Sequence, residues 1–206
     1  GLMEPMLYGP LVRMAEPLVK WAIEVNRLED LPRIMRRAAK IALSPPTGPV
    51  FISLPGDILN KEAKIDLGKS TRVIDTYRPS HNSIELIAKK ISKYKKPVII
   101  AGHEVATSGA FKEITMFAEY TGSAVYQQTV PHGSHYPSEH MAFMGTLPRL
   151  QKPTKNILEN YDLLICVGCD GLRMSVWSDT EPLPSKMPII HIGINEWEIG
   201  KNYSTE

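Results

Sequence analysis

Residues 47–59 read T-G-P-V-F-I-S-L-P-G-D-I-L. Within them, Val50 to Leu54 favour extended structure, and a Gly-Pro pair and a Pro-Gly pair stand on either side. Because these turn residues end regular structure at both borders, the pattern predicts a short buried strand. We expect the chain before this strand to form a helix that leads into it, and the chain after Asp57 to begin a separate unit.

The helix before the strand is predicted to begin at Asp30. Asp30 occupies a position that favours a helix N-cap, and Pro32 is tolerated in a first turn. Apolar residues then recur every three or four positions, as on one face of an amphipathic helix. They are Leu31, Ile34, Met35, Ala38, Ile41 and Ala42. The other face is basic, which is typical of a solvated surface and would also suit a phosphate.

The region before residue 60 supplies only this helix and this strand, which cannot form a sheet by themselves. Residues 1–15 are predicted to be irregular, and residues 17–22 to be a short apolar approach. The region therefore resembles the end of a domain whose other strands lie elsewhere. Residues 61–79 mix charged, glycine and hydroxyl residues without periodicity, which is typical of an interdomain linker.

From Ser80 onwards the pattern alternates between helices and strands. Ser80 and Ser108 are predicted N-caps of two helices, and a third helix is predicted near residues 154–160. Apolar strands are predicted at residues 97–101, 124–126, 163–167 and 189–194. Such strands have no wet face, so the predicted fold class is α/β. We expect a Rossmann-like domain with a parallel sheet covered by helices, preceded by a partial α/β domain.

Composition excludes several classes of function. The chain has 206 residues, of which 43% are apolar and 22% charged, with a net charge of +2. This balance lacks the basic excess expected of a nucleic-acid-binding protein. No apolar run approaches the roughly 20 residues that span a bilayer, and the first residues lack the pattern of a secretory signal. We therefore expect a soluble, cytoplasmic protein that binds neither nucleic acid nor membrane.

Two sets of residues resemble metal ligands, and we predict that neither binds a metal. Cys166 and Cys169 form a C-x-x-C, but Cys166 lies in an apolar run and no second pair supplies further ligands, so core packing is the expected role. His132, His135 and His140 lie in a loop broken by prolines and a glycine. Metal-binding histidines normally occupy rigid elements instead.

Two sites that follow predicted strands are candidates for ligand binding. Gly102-His103-Glu104 stands where α/β sheets bind ligands, so His103 is either a nucleotide-contacting residue or part of a polar turn. The glycine-rich fingerprint G-x-G-x-x-G is absent. Gly168-Cys169-Asp170-Gly171, followed by Asn195, mimics a motif that holds Mg²⁺ and a diphosphate. Cys169 interrupts that motif, however, and prolines occupy the helix that should follow it.

Several fragments, in order along nearly the whole chain, resemble a known family. They are P-L-V-K-W at 17–21, G-P-V-F-I-S-L-P-G-D at 48–57, K-P-V-I-I-A-G at 96–102, A-F-M-G-T-L-P at 142–148 and E-I-G-K-N-Y at 198–203. Together they are similar to thiamine-diphosphate-dependent 2-oxo-acid decarboxylases and acetolactate synthases, nearest the benzoylformate decarboxylase branch.

The resemblance implies an intact enzyme with a pyrimidine-binding domain, a central Rossmann-like domain and a diphosphate-binding domain. Residues 1–64 resemble the C-terminal part of the first, residues 65–79 a linker, and residues 80–206 most of the second. The family's cofactor-activating glutamate and its Gly-Asp-Gly…Asn-Asn motif for Mg²⁺ belong to parts that this chain does not match. We therefore expect the segment alone to be inactive.

The resemblance also suggests individual residues. Ser175 aligns with a histidine that benzoylformate decarboxylase offers to its active site, and is the candidate catalytic residue. A serine donates a hydrogen bond but relays no proton near neutral pH. His103 and Asn195 are the candidate cofactor-binding residues. The last strand, ending Ile192-Gly193-Ile194-Asn195, lacks the carboxylate that usually anchors a ribose, which argues against bound FAD or ADP.

Our first hypothesis is an internal fragment of an enzyme that makes or breaks a C–C bond next to a carbonyl. The intact enzyme would act on a 2-oxo acid or a related substrate with thiamine diphosphate and Mg²⁺, as a homodimer or homotetramer. The alternative is a non-catalytic Rossmann-like module that binds a nucleotide or a partner and has a regulatory role. The fragment hypothesis predicts that the strand at Val50–Leu54 has an open edge or little local support, and neighbours on both sides from residues 1–47 would contradict the pyrimidine-domain assignment.

Overall fold

The computed structural model describes residues 8–69 and 77–205. The chain divides into two compact units, Gly1–Thr76 and Tyr77–Glu206. Residues 70–76, which belong to the predicted linker, lie outside the described residues. Within the described ranges, every helix is too short or too polar to cross a membrane.

The first unit contains a pair of parallel strands with helices before, between and after them. Its helices and strands are α1 (Leu11–Ala15), β1 (Trp21–Glu24), α2 (Leu31–Leu43), β2 (Val50–Ser53) and α3 (Gly56–Leu59), with 3-10 turns at Glu16–Leu18 and Leu28–Asp30. In the strand pair, Trp21 lies opposite Val50 and Glu24 opposite Ser53. The Lys20 ammonium donates to the Ile41 carbonyl at 2.7 Å and so ties the end of α2 to the start of β1.

The predicted strand and its preceding helix are found as β2 and α2, but the prediction that the strand is buried is wrong for Val50, Phe51 and Ile52, and Leu54 lies outside it. Asp30 does precede the helix, but its side chain accepts no capping hydrogen bond. Two predictions upstream are wrong. Residues 11–15 form a helix rather than an irregular segment, and Trp21–Glu24 is a strand rather than an apolar approach. Both elements have only four or five residues, so neither extends far enough to show a period in the sequence.

The edge of β2 away from β1 is open among the described residues, where β1 is its one strand partner. Val50, Phe51 and Ile52 are only half-buried, and Leu43 at the end of α2 is 71% exposed. Two strands and their helices leave this apolar surface uncovered. An isolated two-stranded pair is also marginally stable at best. The open edge is one of the two outcomes that the fragment hypothesis predicts.

The second unit is built on a five-stranded parallel sheet. Its elements are α4 (His81–Ile91), β3 (Pro97–Ala101), α5 (His103–Thr107), α6 (Phe111–Thr121), β4 (Ala124–Gln127), β5 (Phe143–Thr146), α7 (Gln151–Leu158), β6 (Leu163–Val167) and β7 (Ile189–Ile192). The strands lie in the order β5-β4-β3-β6-β7, and each pairs with its neighbours in parallel. This arrangement confirms the predicted α/β fold class.

Both faces of this sheet are covered. Alternate residues of each strand point to opposite faces, and each face packs against other elements. On one face Ile99, Val125, Ile165 and Ile190 pack with α4, α5 and α6. On the other face Val98, Ile100, Tyr126, Leu164 and Ile189 pack with α7 and with the chain that connects β6 to β7. The carboxylate of Asp162 fixes the start of the central pair, since it accepts the backbone N–H groups of Lys95 and Lys96 at 2.8 Å each.

Several boundaries and two elements of the second unit differ from the prediction. Ser80 caps α4 as predicted, whereas Ser108 ends α5 and the next helix begins at Phe111. The third helix begins earlier, at Gln151, and the last strand ends at Ile192. The short elements α5 and β5 were not predicted, because α5 has five residues and Gly145, with a φ of 103°, interrupts the β pattern of β5.

The turn after β3 packs directly on the turn after β6. The Gly102 N–H donates to the Val167 carbonyl at 2.9 Å. A Cβ atom at Gly102 would lie 2.2 Å from both the Gly168 carbonyl oxygen and the Cα of Cys169. Because the obstructing atoms belong to the backbone of a central strand turn, only glycine fits at this position.

Replacing Gly102 with alanine is therefore expected to lower the free energy of unfolding by about 3 kcal/mol, as an overpacked core substitution does. Urea denaturation followed by circular dichroism measures this loss. Gly109→Ala is the control, because a Cβ there meets nothing within 4 Å and only its φ of 64° is unfavourable. That control should lose about 1 kcal/mol. Equal losses in the two variants would contradict the close contact.

Candidate functional site

The carboxyl ends of the parallel strands bring four turns to one edge of the second unit. Gly102 follows β3, Gln128 follows β4, Gly168 follows β6 and Gly193 follows β7. The chain leaves β3 on one face of the sheet, through α5 and α6, and leaves β6 on the other face. The boundary between β3 and β6 is therefore a topological switch point, the place where open α/β sheets bind ligands.

At this switch point the two turns fill the crevice between the strands. The Glu104 N–H, in the first turn of α5, donates to the Gly168 carbonyl at 3.0 Å, in addition to the bond from Gly102 to Val167. Backbone N–H groups at such a turn are the usual donors to a bound diphosphate. Here those of Gly102 and Glu104 already have acceptors within the protein.

The side chain of Glu104 spans from this turn to the end of β7. Its carboxylate accepts the N–H of Ile194 at 2.8 Å and the N–H of Asn195 at 3.2 Å. Glycines at 168 and 193 leave it room, since a Cβ at Gly168 would come within 2.6 Å of the Glu104 Cβ. Glu104 thus supplies a carboxylate at the end of the last strand from a different part of the chain.

Asn195, a candidate cofactor-binding residue, has a structural role in this arrangement. Its side-chain oxygen accepts the Trp197 N–H at 3.3 Å, and its carbonyl accepts the Glu198 N–H at 3.0 Å. It therefore begins the turn that follows β7. The structure brings Asn195 close to Glu104, the residue next to the other candidate, His103.

His103 lies at the first residue of α5, where its side chain is exposed. Its ring centroid is 6.1 Å from that of His132 and 6.2 Å from that of His135. His135 is fully buried, and neither of its ring nitrogens has a hydrogen-bond partner in the described part of the chain. Three histidines after β3 and β4 therefore meet in one cluster, with the most buried ring unpaired.

Burial lowers the pKa of His135, because a charged ring loses its hydration there; the nearby Ala101 carbonyl acts in the opposite direction, and His103 and His132 lower the pKa further. The side-chain amide oxygen of Gln128, which follows β4, is also buried without a partner among the described residues. The backbone of this loop is nevertheless held, since the His135 N–H donates to the Gln127 side chain at 2.7 Å.

The third histidine of the predicted loop, His140, has separate partners. Its ring pairs with the Tyr136 hydroxyl at 2.9 Å and with the Glu119 carboxylate at 3.2 Å. Residues 8–69 and 77–205 contain no group of three histidine, cysteine, aspartate or glutamate side chains arranged to hold a metal ion. The loop histidines thus divide between two sets of neighbours, with His132 and His135 beside His103 and His140 beside Tyr136 and Glu119.

The cysteine pair and Asp170 are also engaged within the protein. Cys166 and Cys169 are buried in the core beneath the switch point. The hydrogen bond that the Cys166 thiol donates to Cys169, together with burial, raises the pKa of Cys166, so this thiol stays protonated. Asp170 forms an ion pair with Arg173 at 3.1 Å.

Ser175, the candidate catalytic residue, lies in the exposed loop after β6. Its N–H donates to the Arg149 carbonyl at 3.1 Å, and the next two residues, Val176 and Trp177, are 56% and 82% exposed. Its hydrogen bond therefore runs to Arg149 rather than to His103 or Asn195. A second contact holds the loop, from the Thr129 hydroxyl to the Arg173 carbonyl.

Two features of this edge escaped sequence reasoning, namely the carboxylate bridge of Glu104 and the burial of His135. The glycines at 102, 168 and 193 are the one available signal for the bridge, since each follows an apolar strand. The burial of His135 has no local signal, because its loop is polar and rich in proline and glycine.

Removing the Glu104 carboxylate should release the chain after β7. Glu104→Ala is expected to lower the unfolding free energy by about 1 to 2 kcal/mol, the range for a hydrogen bond to a charged group at a half-buried site. Amide exchange at Ile194 and Asn195 should become about tenfold faster, as about 1.4 kcal/mol implies. Glu104→Gln keeps one acceptor oxygen, so its unfolding free energy and exchange rates should lie between those of the unsubstituted protein and of Glu104→Ala. Glu113→Ala, at an exposed glutamate of α6, should change neither amide.

The buried His135 predicts an acid-sensitive fold. Since its pKa is lowered in the folded state, the unfolded chain binds more protons once the pH falls below the ordinary value of 6.5. The contribution of His135 to the free energy of unfolding should be fully present above that pH. Below it, the free energy of unfolding should fall by up to about 1.4 kcal/mol per pH unit. Urea midpoints between pH 7.5 and 5 measure this slope. His135→Phe should flatten it, whereas His81→Gln, at an exposed histidine, should not.

The sequence of the second unit matches a known family. The description "Thiamine pyrophosphate enzyme, central domain" matches residues 84–206, which is more than half of the chain. This range contains the whole parallel sheet and the switch-point turns.

Individual relatives agree with this match. The acetolactate synthase large subunit of Corynebacterium glutamicum is 32% identical over 193 residues, covering 90% of this chain and 30% of the relative. Benzoylformate decarboxylase of Pseudomonas aeruginosa is 23% identical over 191 residues, covering 92% of this chain and 36% of the relative. The crystal structure of benzoylformate decarboxylase from Polynucleobacter necessarius superposes with a TM-score of 0.88 at 26% identity, covering 98% of this chain and 38% of that one.

The chain thus spans about a third of the length of the proteins that it matches. The expected resemblance is confirmed at the level of sequence and of fold. The chain belongs to the family of thiamine pyrophosphate enzymes, and residues 84–206 match the central domain of that family.

Proposed function

We propose that this chain is part of a longer thiamine-diphosphate-dependent enzyme that makes or breaks a C–C bond next to the carbonyl of a 2-oxo acid. The observation that carries the proposal is the match of the entire five-stranded unit to the central domain of the family. The proposed class of reaction is supported by relatives named as acetolactate synthase and as benzoylformate decarboxylase. When bound, thiamine diphosphate supplies an electron sink for the carbanion formed at the carbonyl carbon.

The domain assignment is part of this proposal. Residues 1–64 are the C-terminal part of a pyrimidine-binding domain, residues 65–79 a linker, and residues 80–206 most of the central domain. The open edge of β2 and its half-buried side chains support the first assignment, because they require further strands from the same domain.

The described residues of this segment do not themselves fit the cofactor. Asp170, which mimics a Mg²⁺ ligand, is paired with Arg173, and the side-chain oxygen of Asn195 is used in the turn after β7. These two side chains therefore take no part in the proposed reaction. Thiamine diphosphate and Mg²⁺ are expected to be held by other parts of the intact enzyme, and this segment alone to be inactive.

In the intact enzyme, the loop after β6 forms one wall of the active site. Ser175 lies there next to exposed apolar residues, at the edge of the sheet that carries the ligand-binding turns. Its hydroxyl can donate a hydrogen bond to a substrate carboxylate or carbonyl but does not move a proton at neutral pH. His103 is exposed at the same edge and is the other side chain of this segment that we propose for ligand contact.

The hydrogen bonds within the switch point argue against the binding of FAD or ADP there. The N–H groups that would hold the diphosphate of FAD or ADP are bonded to Val167 and Gly168, and Glu104 occupies the end of β7. A nucleotide would have to displace these contacts. This favours a central domain with a structural role over the alternative, a regulatory module that binds a nucleotide or a partner.

The enzyme class also suggests a localisation, an oligomeric state and a type of substrate. We propose that the intact protein is a cytoplasmic homodimer or homotetramer, in which this segment contributes to the subunit frame. Its substrate is a small 2-oxo acid, or a related compound, rather than a nucleic acid or a lipid surface.

The intact gene product should release carbon dioxide from pyruvate or benzoylformate only when thiamine diphosphate and Mg²⁺ are present, and residues 1–206 alone should not. Ser175→Ala should lower kcat about tenfold, which corresponds to one hydrogen bond of about 1.4 kcal/mol. Ser178→Ala, three positions further along the exposed loop, is the matched control and should leave kcat unchanged. Turnover without thiamine diphosphate would contradict the proposal. Calorimetric binding of ADP by residues 1–206 would favour the regulatory module.

A further inference from the structure

The loop after β6, which comprises residues 168–188 and carries Ser175, has no regular structure of its own. It contains neither a helix nor a strand in the described chain, so no ladder of backbone hydrogen bonds sets its course. Functional residues commonly lie on loops of this kind, and a scaffold has to hold them in place. The position of Ser175 therefore depends on individual contacts between this loop and the sheet.

Two hydrogen bonds attach the loop to the rest of the unit near Ser175. The Thr129 hydroxyl donates to the Arg173 carbonyl, two residues before Ser175. The Ser175 N–H donates to the Arg149 carbonyl at 3.1 Å. The second bond joins two backbone groups, whereas the first requires a side chain with a hydroxyl donor. Thr129 is thus the side chain on which the attachment depends.

Thr129 is itself held by the central sheet. It is only 2% exposed. The preceding residue, Gln128, donates its N–H to the Ala101 carbonyl at 3.0 Å, which continues the pairing of β4 with β3 beyond the last residue of β4. A β-branched side chain has few rotamers, and burial restricts them further. The Thr129 hydroxyl therefore has a fixed position relative to the two strands.

The ion pair between Arg173 and Asp170 does not provide an equivalent attachment. The two side chains are 59% and 34% exposed, and exposed ion pairs hold their geometry weakly because water screens the charges. Both residues also belong to the loop, so their contact does not join the loop to the sheet. The Thr129 hydroxyl supplies that link.

The space between Thr129 and the loop is too small for a ligand. A cavity there is lined by Gln128 and Val130, and by Asp170 and Gly171 of the loop. Its volume is about 10 Å³, which holds one water molecule at most. The direct hydrogen bond from Thr129 is therefore not exchanged for a bound molecule at this place.

We propose that Thr129 is the positioning residue for Ser175. Through the Arg173 carbonyl, its hydroxyl holds the loop after β6 where Ser175 meets the substrate. Thr129 touches neither the substrate nor the cofactor. A serine can replace it, because serine keeps the donor, whereas valine has nearly the same shape and no donor. The inference rests on the proposed function, since Thr129 acts through the role proposed for Ser175.

Amide hydrogen exchange in the intact gene product tests the attachment. Thr129→Val should make exchange of the Ser175 N–H about tenfold faster, because the loop opens more often, and Thr129→Ser should restore the original rate. Thr121→Val is the matched control. It removes a hydroxyl that donates to the Phe117 carbonyl at 2.7 Å, just before the start of β4, and should not affect Ser175. An unchanged rate at Ser175 in Thr129→Val would overturn the proposal.

A double-mutant cycle in the intact enzyme tests the effect on turnover. Thr129→Val should lower kcat about three- to tenfold, no more than the loss expected for Ser175→Ala, and Thr129→Ser should retain most of kcat. In a protein that already carries Ser175→Ala, Thr129→Val should lower kcat by less than about twofold, because a positioning residue acts only through the group that it positions. Thr121→Val should leave kcat unchanged in both backgrounds.

A structural role of Thr129 would give a different result. A loss of stability lowers the concentration of active enzyme equally with Ser175 or with alanine at that position, so the two substitutions would act independently. Independent losses would overturn the proposal, as would an unchanged kcat in Thr129→Val or in Ser175→Ala.

The failure of this inference differs from the failure of the proposed function. An intact protein without thiamine-diphosphate-dependent turnover would refute the proposed function and the inference with it. An active enzyme in which Thr129→Val and Ser175→Ala act independently would overturn the inference alone.

Discussion

The contact of the Gly102 turn with the backbone of Gly168 and Cys169 is the constraint on which the second unit depends. It joins the two central strands of the sheet just beyond their carboxyl ends, where a side chain at residue 102 would collide with backbone atoms. Because α5 begins directly after Gly102, the same contact sets the position of Glu104. Glu104 then fixes the chain after β7, so three turns from distant parts of the sequence are held by one close approach.

This arrangement divides the polar groups at the carboxyl ends of the strands into two classes. Around the switch point, the N–H groups of Gly102, Glu104, Ile194 and Asn195 are all satisfied within the protein. Beside it, the ring of His135 and the amide oxygen of Gln128 are buried without partners. Buried polar groups of this kind cost stability, and natural proteins retain few of them. The N–H groups at the switch point are thus satisfied, whereas His135 and Gln128 each keep a buried polar atom without a partner among the described residues.

Sequence reasoning succeeded where a local pattern is long and uniform. The runs Pro97–Ala101 and Leu163–Val167 are apolar throughout and became the two central strands, and the spacing of apolar residues after Asp30 predicted α2. It failed for Trp21–Glu24 and Phe143–Thr146, because strands of four residues show too little alternation. The bridge from Glu104 to Ile194 joins residues 90 positions apart, and no local pattern reports such a contact. The roles of Ser175, His103 and Asn195 in catalysis or binding stay predictions.

The central position of β3 has a consequence for the order of events during synthesis. Its partner β6 is held beside it through Lys96 and Asp162, which are 66 residues apart. At typical translation rates of about 5–20 residues per second, β3 waits several seconds for that partner to leave the ribosome. During this interval one side of a wholly apolar strand is unpaired. The nascent chain therefore passes through a stage in which its most buried strand has an unpaired edge and is prone to aggregate. A chaperone would be of most use at this stage.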